Sequence, residues 1–408
     1  NFFIVLIIYL TKYKYLYLNF YFSNYNMENK LLNISPIDGR YANQLTNLND
    51  YFSEFALIKY RLLVEITYLV MLVRKIGYLS EDEENLINDI YTNFSIKEAL
   101  KIKKIEETTN HDVKSVEYYI RNKLIEIENM NENFNKKIKL YVHFGLTSQD
   151  INSSANMIVI KDFNEDILIH ILNRINTKFK IMSEKWDNVV MMARTHGQPA
   201  TPTYLGKEIL VFSERLENQI ELLKKINYRT KFGGATGCLN AHYYAFPNIN
   251  WIKFSDKFVN SFNLKRNKFT TQVDHYDNYA EIFDILKRIN TLLIDFCQDI
   301  WIYISFDYFK LKLKEKEVGS STMPHKVNPI NFENAEGNLL LSINMLEFLS
   351  RKLPISRLQR DLTDSTILRN LGICFGWCHI AYHNIIKGLN KINVNEEKIK
   401  NDYNINLS

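Results

Sequence analysis

The sequence predicts an all-α protein built around a bundle of long helices, and three observations carry that prediction. First, the helix breakers are few and unevenly placed: 13 Gly and 7 Pro in 408 residues, with none in 78–144, 146–196, 207–232 or 248–318. A multi-stranded sheet would need turns every ten residues or so, which these stretches do not supply. Second, apolar residues recur at helical spacing. Ile282, Ile285, Leu286, Ile289, Leu292, Leu293, Phe296 and Ile300 form one stripe, and Leu168, Leu172, Ile175 and Ile209, Phe212, Leu216, Ile220 repeat it. Third, a hydrophobic content of 46% with 13% aromatic residues supplies bulk for large buried cores.

Composition narrows the class. A net charge of +5 is small for this length, and no Lys/Arg block has the density of a nucleic-acid footprint. The four cysteines, Cys238, Cys297, Cys374 and Cys378, are scattered, which reads as reduced core thiols in a reducing, cytoplasmic setting. Residues 1–26 open on an apolar run from Phe2 to Leu10 that is too short to span a bilayer. The first methionine is Met27, so 1–26 reads as upstream sequence outside the fold. The expectation is therefore no nucleic-acid partner and no membrane.

The breakers gather in a few clusters, and each also holds chemically capable side chains. In order these are Ser35-Pro-Ile-Asp-Gly-Arg40-Tyr41, Thr108-Thr-Asn110-His111-Asp112, His143-Phe-Gly-Leu-Thr147-Ser148-Gln-Asp150, and Arg194-Thr-His196-Gly-Gln-Pro. Phe232-Gly-Gly-Ala-Thr-Gly237 follows; it lacks a Gly-Lys-Ser/Thr ending, so it reads as a close backbone turn and not a phosphate loop. Toward the end come Arg357-Leu-Gln-Arg360-Asp and Ser365-Thr366-Ile367-Leu368-Arg369. Helix starts and the loops before them expose amide donors and favour anions, so such a set suits a substrate with several negative charges. His379 and His383 are four apart, but no third ligand lies at a telling spacing, so no metal site is expected.

The most informative run is Gly319-Ser320-Ser321-Thr-Met-Pro-His325-Lys326-Val-Asn328-Pro329. Gly-Ser-Ser offers adjacent amide donors and unusual backbone angles, Lys326 adds a positive charge, and the two prolines stiffen the segment. This is a design for a flexible loop that closes over an anion and brings a hydroxyl to it.

These motifs, from Met27 to about residue 400, resemble the fumarase/aspartase lyase superfamily. His325, the Ser-Pro-x-Asp-Gly-Arg-Tyr opening and Thr-Thr-Asn-His-Asp are most similar to its long, bacterial-type adenylosuccinate lyase family. The resemblance implies three domains: a helical N-terminal one over 27–136, a central bundle with the catalytic loop over 137–388, and a C-terminal helical one begun at 389–408 and incomplete at Ser408. It implies a homotetramer whose active sites draw on three subunits. It further implies cofactor-free β-elimination of fumarate from nucleotide substrates: adenylosuccinate to AMP and SAICAR to AICAR. By the same resemblance Ser320 is the general base, His196 the general acid, Lys326 their electrostatic support and Glu333 the carboxylate that orients the histidine. Arg40, Tyr41, Arg360 and the segment Ser365, Thr366, Ile367, Leu368, Arg369 would hold the phosphate and purine. Asn110, His111, Asp112, Thr147, Ser148, Gln272, Ser321, Asn328 and Asn334 would hold the succinyl group and base.

Overall fold

The computed structural model describes residues 31–312 and 327–407. They fall into two compact units, one ending at Leu48 and one beginning at Asn49. In the first, Ser35 Oγ accepts the Ile37 amide at 3.2 Å and the chain winds through short 3-10 turns at Ala42–Gln44 and Thr46–Leu48.

The second unit is helical, and its early helices start where the sequence supplies caps. Helix α1 (Glu54–Lys75) begins at Ser53, whose Oγ accepts the Ala56 amide at 3.1 Å. Helix α2 (Glu81–Thr92) begins with a reciprocal cap: Ser80 Oγ accepts the Glu83 amide at 3.3 Å and Glu83 Oε2 accepts the Ser80 amide at 2.8 Å. Helices α3 (Ile96–Thr109) and α4 (Asp112–Met130) fold back on these two. Leu62, Ile66, Leu69, Ile87, Ile102, Val116 and Ile120 share the resulting core.

Helix α5 (Ser148–Phe163) runs through a π-helical stretch at Asn164–Leu168 into α6 (Ile169–Lys185). Then come α7 (Leu205–Lys224), α8 (Trp251–Asn260), the 29-residue α9 (Asp277–Ser305), α10 (Ile330–Lys352), α11 (Leu371–Leu389) and α12 (Glu396–Leu407). Five of these close a ring: α9 packs on α10, α10 on α11, α11 on α6, α6 on α7, and α7 on α9. The apolar stripes read from the sequence line its interior. Every member from Ile282 to Ile300 is at most 4% exposed, and each such side chain contributes about 1.5–3 kcal/mol when removed from water. One polar group sits among them: Asn290 accepts from Tyr382 Oη at 2.6 Å and donates to Ser342 Oγ at 3.3 Å, tying α9, α10 and α11 in one register.

The expected fold class holds, with three two-stranded ribbons added to it. Strand β1 (Val190–Thr195), at the end of the breaker-free stretch 146–196 that suggested helix, pairs with β2 (Gln198–Tyr204) in an antiparallel hairpin. Its sequence, Val-Met-Met-Ala-Arg-Thr, is too short for a packed helix, and Pro199 and Pro202 are tolerated because each strand of a two-stranded ribbon is an edge. Strands β3 (Arg229–Thr230) and β4 (Lys265–Arg266) pair in parallel, and β5 (Phe309–Leu311) pairs antiparallel with β6 (Ile392–Val394). Among the described residues no helix is long and apolar enough to cross a membrane.

Candidate active site

A cavity of about 330 Å³ opens where α1, α4, α5 and the segment 360–369 meet. Two helix N-termini reach it. The Thr-Thr-Asn-His-Asp motif is the corner between α3 and α4: Asn110 closes α3 in a left-handed conformation (φ 49°), and His111 caps α4, its Nδ1 accepting the Lys114 amide at 3.2 Å. That bond places the proton of the neutral ring on Nε2, leaving a donor for a ligand. Ser148 begins α5, with Thr147 before it donating its amide to Asp150 Oδ2 at 2.9 Å. Aligned peptide dipoles make both ends favourable to negative charge.

Three guanidinium groups line the cavity: Arg61, Arg360 and Arg369. Asp112 bridges two of them, accepting from Arg61 Nη2 and from Arg369 Nη2, each at 2.7 Å. Burial alone would raise the Asp112 carboxyl; the Arg61 charge, the Val113 amide and Arg369 reverse this and hold it at about 2. Arg61 Nε donates to Asn152 at 2.9 Å, whereas Arg61 Nη1, in a residue only 4% exposed, has no hydrogen-bond partner among the described residues. On the same helix as Asn152, Gln149 donates to Asp364 Oδ2 at 3.2 Å while its own Oε1 is likewise unpartnered among the described residues. Leaving such buried groups unmet costs about 1–3 kcal/mol each. Arg360 is held by Gln272, whose Oε1 accepts from its Nη1 at 3.2 Å.

The Gly-rich run is a close backbone turn tied to Asp150, the residue after Gln149. Asp150 Oδ1 accepts from Lys231 Nζ at 2.7 Å and from the amides of Gly233 at 2.8 Å and Gly234 at 3.2 Å. The Asp150 and Lys231 side chains are both 0% exposed. At Gly237 (φ 78°) a Cβ would lie 2.1 Å from the Thr270 carbonyl oxygen, so only glycine fits.

Of the residues singled out from sequence, Asn110, His111, Asp112, Ser148, Arg360, Ser365, Thr366, Leu368 and Arg369 line this one cavity. Thr147 and Ile367 adjoin lining residues in the chain, and Gln272 reaches it through Arg360. A second group lies at the start of α10. Asn328 precedes it, Asn334 accepts from Asn384 Nδ2 at 2.9 Å, and Glu333 accepts from the Trp301 indole at 3.0 Å. His196 stands apart from both, exposed at the tip of the β1–β2 hairpin. Glu333 and His196 are not hydrogen-bonded to each other within the chain. Arg40 and Tyr41 belong to the first unit, while Ser320, Ser321 and Lys326, with His325, lie outside the described residues.

Sequence reading missed Arg61, Gln149, Asn152 and Asn156. The last three lie at i, i+3 and i+7 on one face of α5, but Ser148, Asp150, Ser153 and Ser154 around them keep that face from standing out as a stripe. Arg61 gave no signal, because with Glu65 it imitates a solvent-exposed i,i+4 pair, although both are buried.

The comparisons with known proteins decide the family. A lyase family matches residues 71–341, and the adenylosuccinate lyase C-terminal family matches 356–408. The adenylosuccinate lyase of Dictyostelium discoideum is 51% identical over 389 residues, covering 93% of this chain and 82% of that protein. The chain belongs to the adenylosuccinate lyase family. That of Escherichia coli is 41% identical over 378 residues, covering 91% of this chain and 82% of its own length. Among solved structures, a fumarate lyase from Mesorhizobium sp. superposes with a TM-score of 0.70 at 16% identity, covering 88% of this chain and 78% of that one. A 3-carboxy-cis,cis-muconate lactonizing enzyme from Pseudomonas putida gives 0.71 at 18% identity, with the same coverages. These two share the fold.

Proposed function

We propose that the protein eliminates fumarate from adenylosuccinate, releasing AMP, and from SAICAR, releasing AICAR. The observation that carries this is the cavity: three guanidinium groups and two helix N-termini converge on one space, the environment a phosphate and two carboxylates require. The chemistry divides between two groups. A base takes the proton beside one succinyl carboxylate, the C–N bond breaks as the carbon–carbon double bond forms, and an acid protonates the departing nitrogen. A positioned base and acid each typically contribute about 10²–10⁴-fold. We assign Ser320 as base and His196 as acid, with Lys326 stabilising the charge that builds on the carboxylate and Glu333 orienting the imidazole. No cofactor is invoked.

The active site is proposed to be completed between copies in a homotetramer. Two features support this. His196 is exposed and outside the cavity that holds the binding residues. The bundle also leaves Leu210, Trp301, Ile302, Leu340, Leu341 and Phe348 exposed on α7, α9 and α10, apolar surface suited to pairing with another bundle. The four free thiols, three of them buried, accord with a cytoplasmic protein. Incubation with adenylosuccinate, followed by the ultraviolet change on AMP formation, tests the activity. Turnover of argininosuccinate or malate, with none of adenylosuccinate or SAICAR, would overturn it. Mixing inactive His196→Ala with inactive Arg369→Ala protein tests the sharing: returning activity supports composite sites, and none argues that each chain is self-sufficient.

A further inference from the structure

The hairpin that presents His196 is a strained and minimal element. His196 and Gly197 occupy its two central positions with φ of 55° and 76°, the left-handed pair of a type I′ turn closed by Thr195 and Gln198. The left-handed conformation at a non-glycine residue costs about 1–2 kcal/mol, and a two-stranded ribbon is marginal alone, so something must hold it. Arg194, two residues before the imidazole, is where it is held. Its Nη2 donates to both carboxylate oxygens of Asp402, at 3.1 and 2.9 Å, and its Nη1 reaches the Gly197 carbonyl oxygen at 3.5 Å across the turn. Its guanidinium lies over the Phe306 ring, 5.1 Å from the centroid. The buried Tyr308 hydroxyl donates to the same Asp402 carboxylate. The carboxylate is itself anchored. Asp402 lies on α12, whose start is tied down by Asn395, donating from its amide to the Tyr308 carbonyl at 2.8 Å and from Nδ2 to the Asp307 carbonyl at 3.0 Å. One chain of contacts therefore runs from the end of α9, through α12, to the turn.

We propose that Asp402, acting through Arg194, is a positioning residue for the His196 imidazole, so that the first helix after the bundle sets the angle at which the acid is presented. The inference rests on His196 being the acid. Neither a bland surface ion pair nor a simple brace for α12 needs the contact to Gly197, the second donor from Tyr308 or one guanidinium nitrogen shared between both carboxylate oxygens, which together restrict direction as well as proximity. Misplacing a reacting group by about 1 Å can cost on the order of 10²-fold.

The test uses the full chain, with adenylosuccinate as substrate. Asp402→Asn keeps the shape and removes the charge. The expected result is kcat lowered about 10-fold or more with KM within about 2-fold, an unchanged native mass, and partial recovery in Asp402→Glu. In a His196→Gln background the same substitution should add no further loss to the residual turnover, because the group being aimed is gone. An unchanged kcat in Asp402→Asn, or an equal proportional loss in both backgrounds, overturns the positioning role while leaving the acid assignment standing. Wild-type turnover in His196→Gln overturns the acid assignment and this inference with it. Should Asp402→Asn not assemble, Tyr308→Phe, which removes one donor to the carboxylate, carries the same pair of measurements with an expected loss of a few-fold.

Discussion

The cavity and the hairpin solve opposite problems. Around the cavity the polar groups constrain one another: Asp112 is shared by two arginines, Arg360 is held by Gln272, and Asp150, next in the chain to the lining residue Gln149, forms a fully buried pair with Lys231. The hairpin exposes its one chemically capable side chain and is steadied from behind by a single arginine. Binding a polyanion demands preorganised charge, which a densely cross-linked wall supplies at no cost when the ligand arrives. The role proposed for His196, delivering a proton to a ligand held elsewhere, demands reach, which an exposed turn supplies. Rigidity is concentrated where the charge is, and exposure where that histidine stands.

The sharpest way to break this contrast is to remove the reacting groups. His196→Ala, and Ser320→Ala likewise, should lower turnover by about 10²–10⁴-fold while the assembly persists by native mass. A second substitution probes the buried pair: Lys231→Ala leaves a buried carboxylate uncompensated and should destabilise the fold by about 3–5 kcal/mol in denaturant titration. No comparable loss is expected from His196→Ala, since that side chain is exposed; equal destabilisation by the two would erase the contrast. At the wall, Arg369→Gln should cost about 1.5–3 kcal/mol in kcat/KM, a charge-assisted bond to ligand being lost, with the melting temperature nearly unmoved.

The smallest effect is one of pH and belongs to the cavity side. His242, packed against Gly145 before Thr147, is pushed down to about 4, mainly by burial. Its folded value lies below the unfolded one near 6.5, so its contribution is complete above that pH and declines as pH falls toward 4. His143 behaves in reverse. Burial pulls it down, but Glu65 and Glu117 prevail and raise it, so its contribution is complete below about 6.5 and declines as pH rises through the raised value. Stability curves should therefore flatten on the acid side in His242→Phe, by on the order of 1–3 kcal/mol, and on the alkaline side in His143→Gln. Identical curves for either variant and wild type would show that its histidine is not the titrating group.

Much of this was legible before any coordinates. The apolar stripes of α6, α7 and α9 lie on the buried faces where their spacing put them, because a 3.6-residue period is imposed by backbone geometry and survives any context. The cavity's His111, Asp112, Ser148, Arg360 and Arg369 were legible as breaker-flanked polar clusters, since breakers mark helix ends and helix ends carry free amides. What did not show was partnership. Nothing in the chain marks Arg61 or Lys231 as buried, and nothing about Asp402 or Tyr308, more than 90 residues apart, ties either to Arg194. Nor did Val190–Tyr204 announce a hairpin, its turn being His-Gly and not the Asn-Gly that usually signals one.

By itself, then, the sequence determined the helical class, the faces that would be buried, the family and the residue types able to bind a polyanion, all of which follow from local spacing and local chemistry. Only the tertiary structure decided which charges neutralise one another, which polar groups line one cavity, and where the His196 turn is braced. Those depend on segments tens to hundreds of residues apart meeting within about 3 Å, and in a low-dielectric interior that proximity, not residue identity, sets what a charge does.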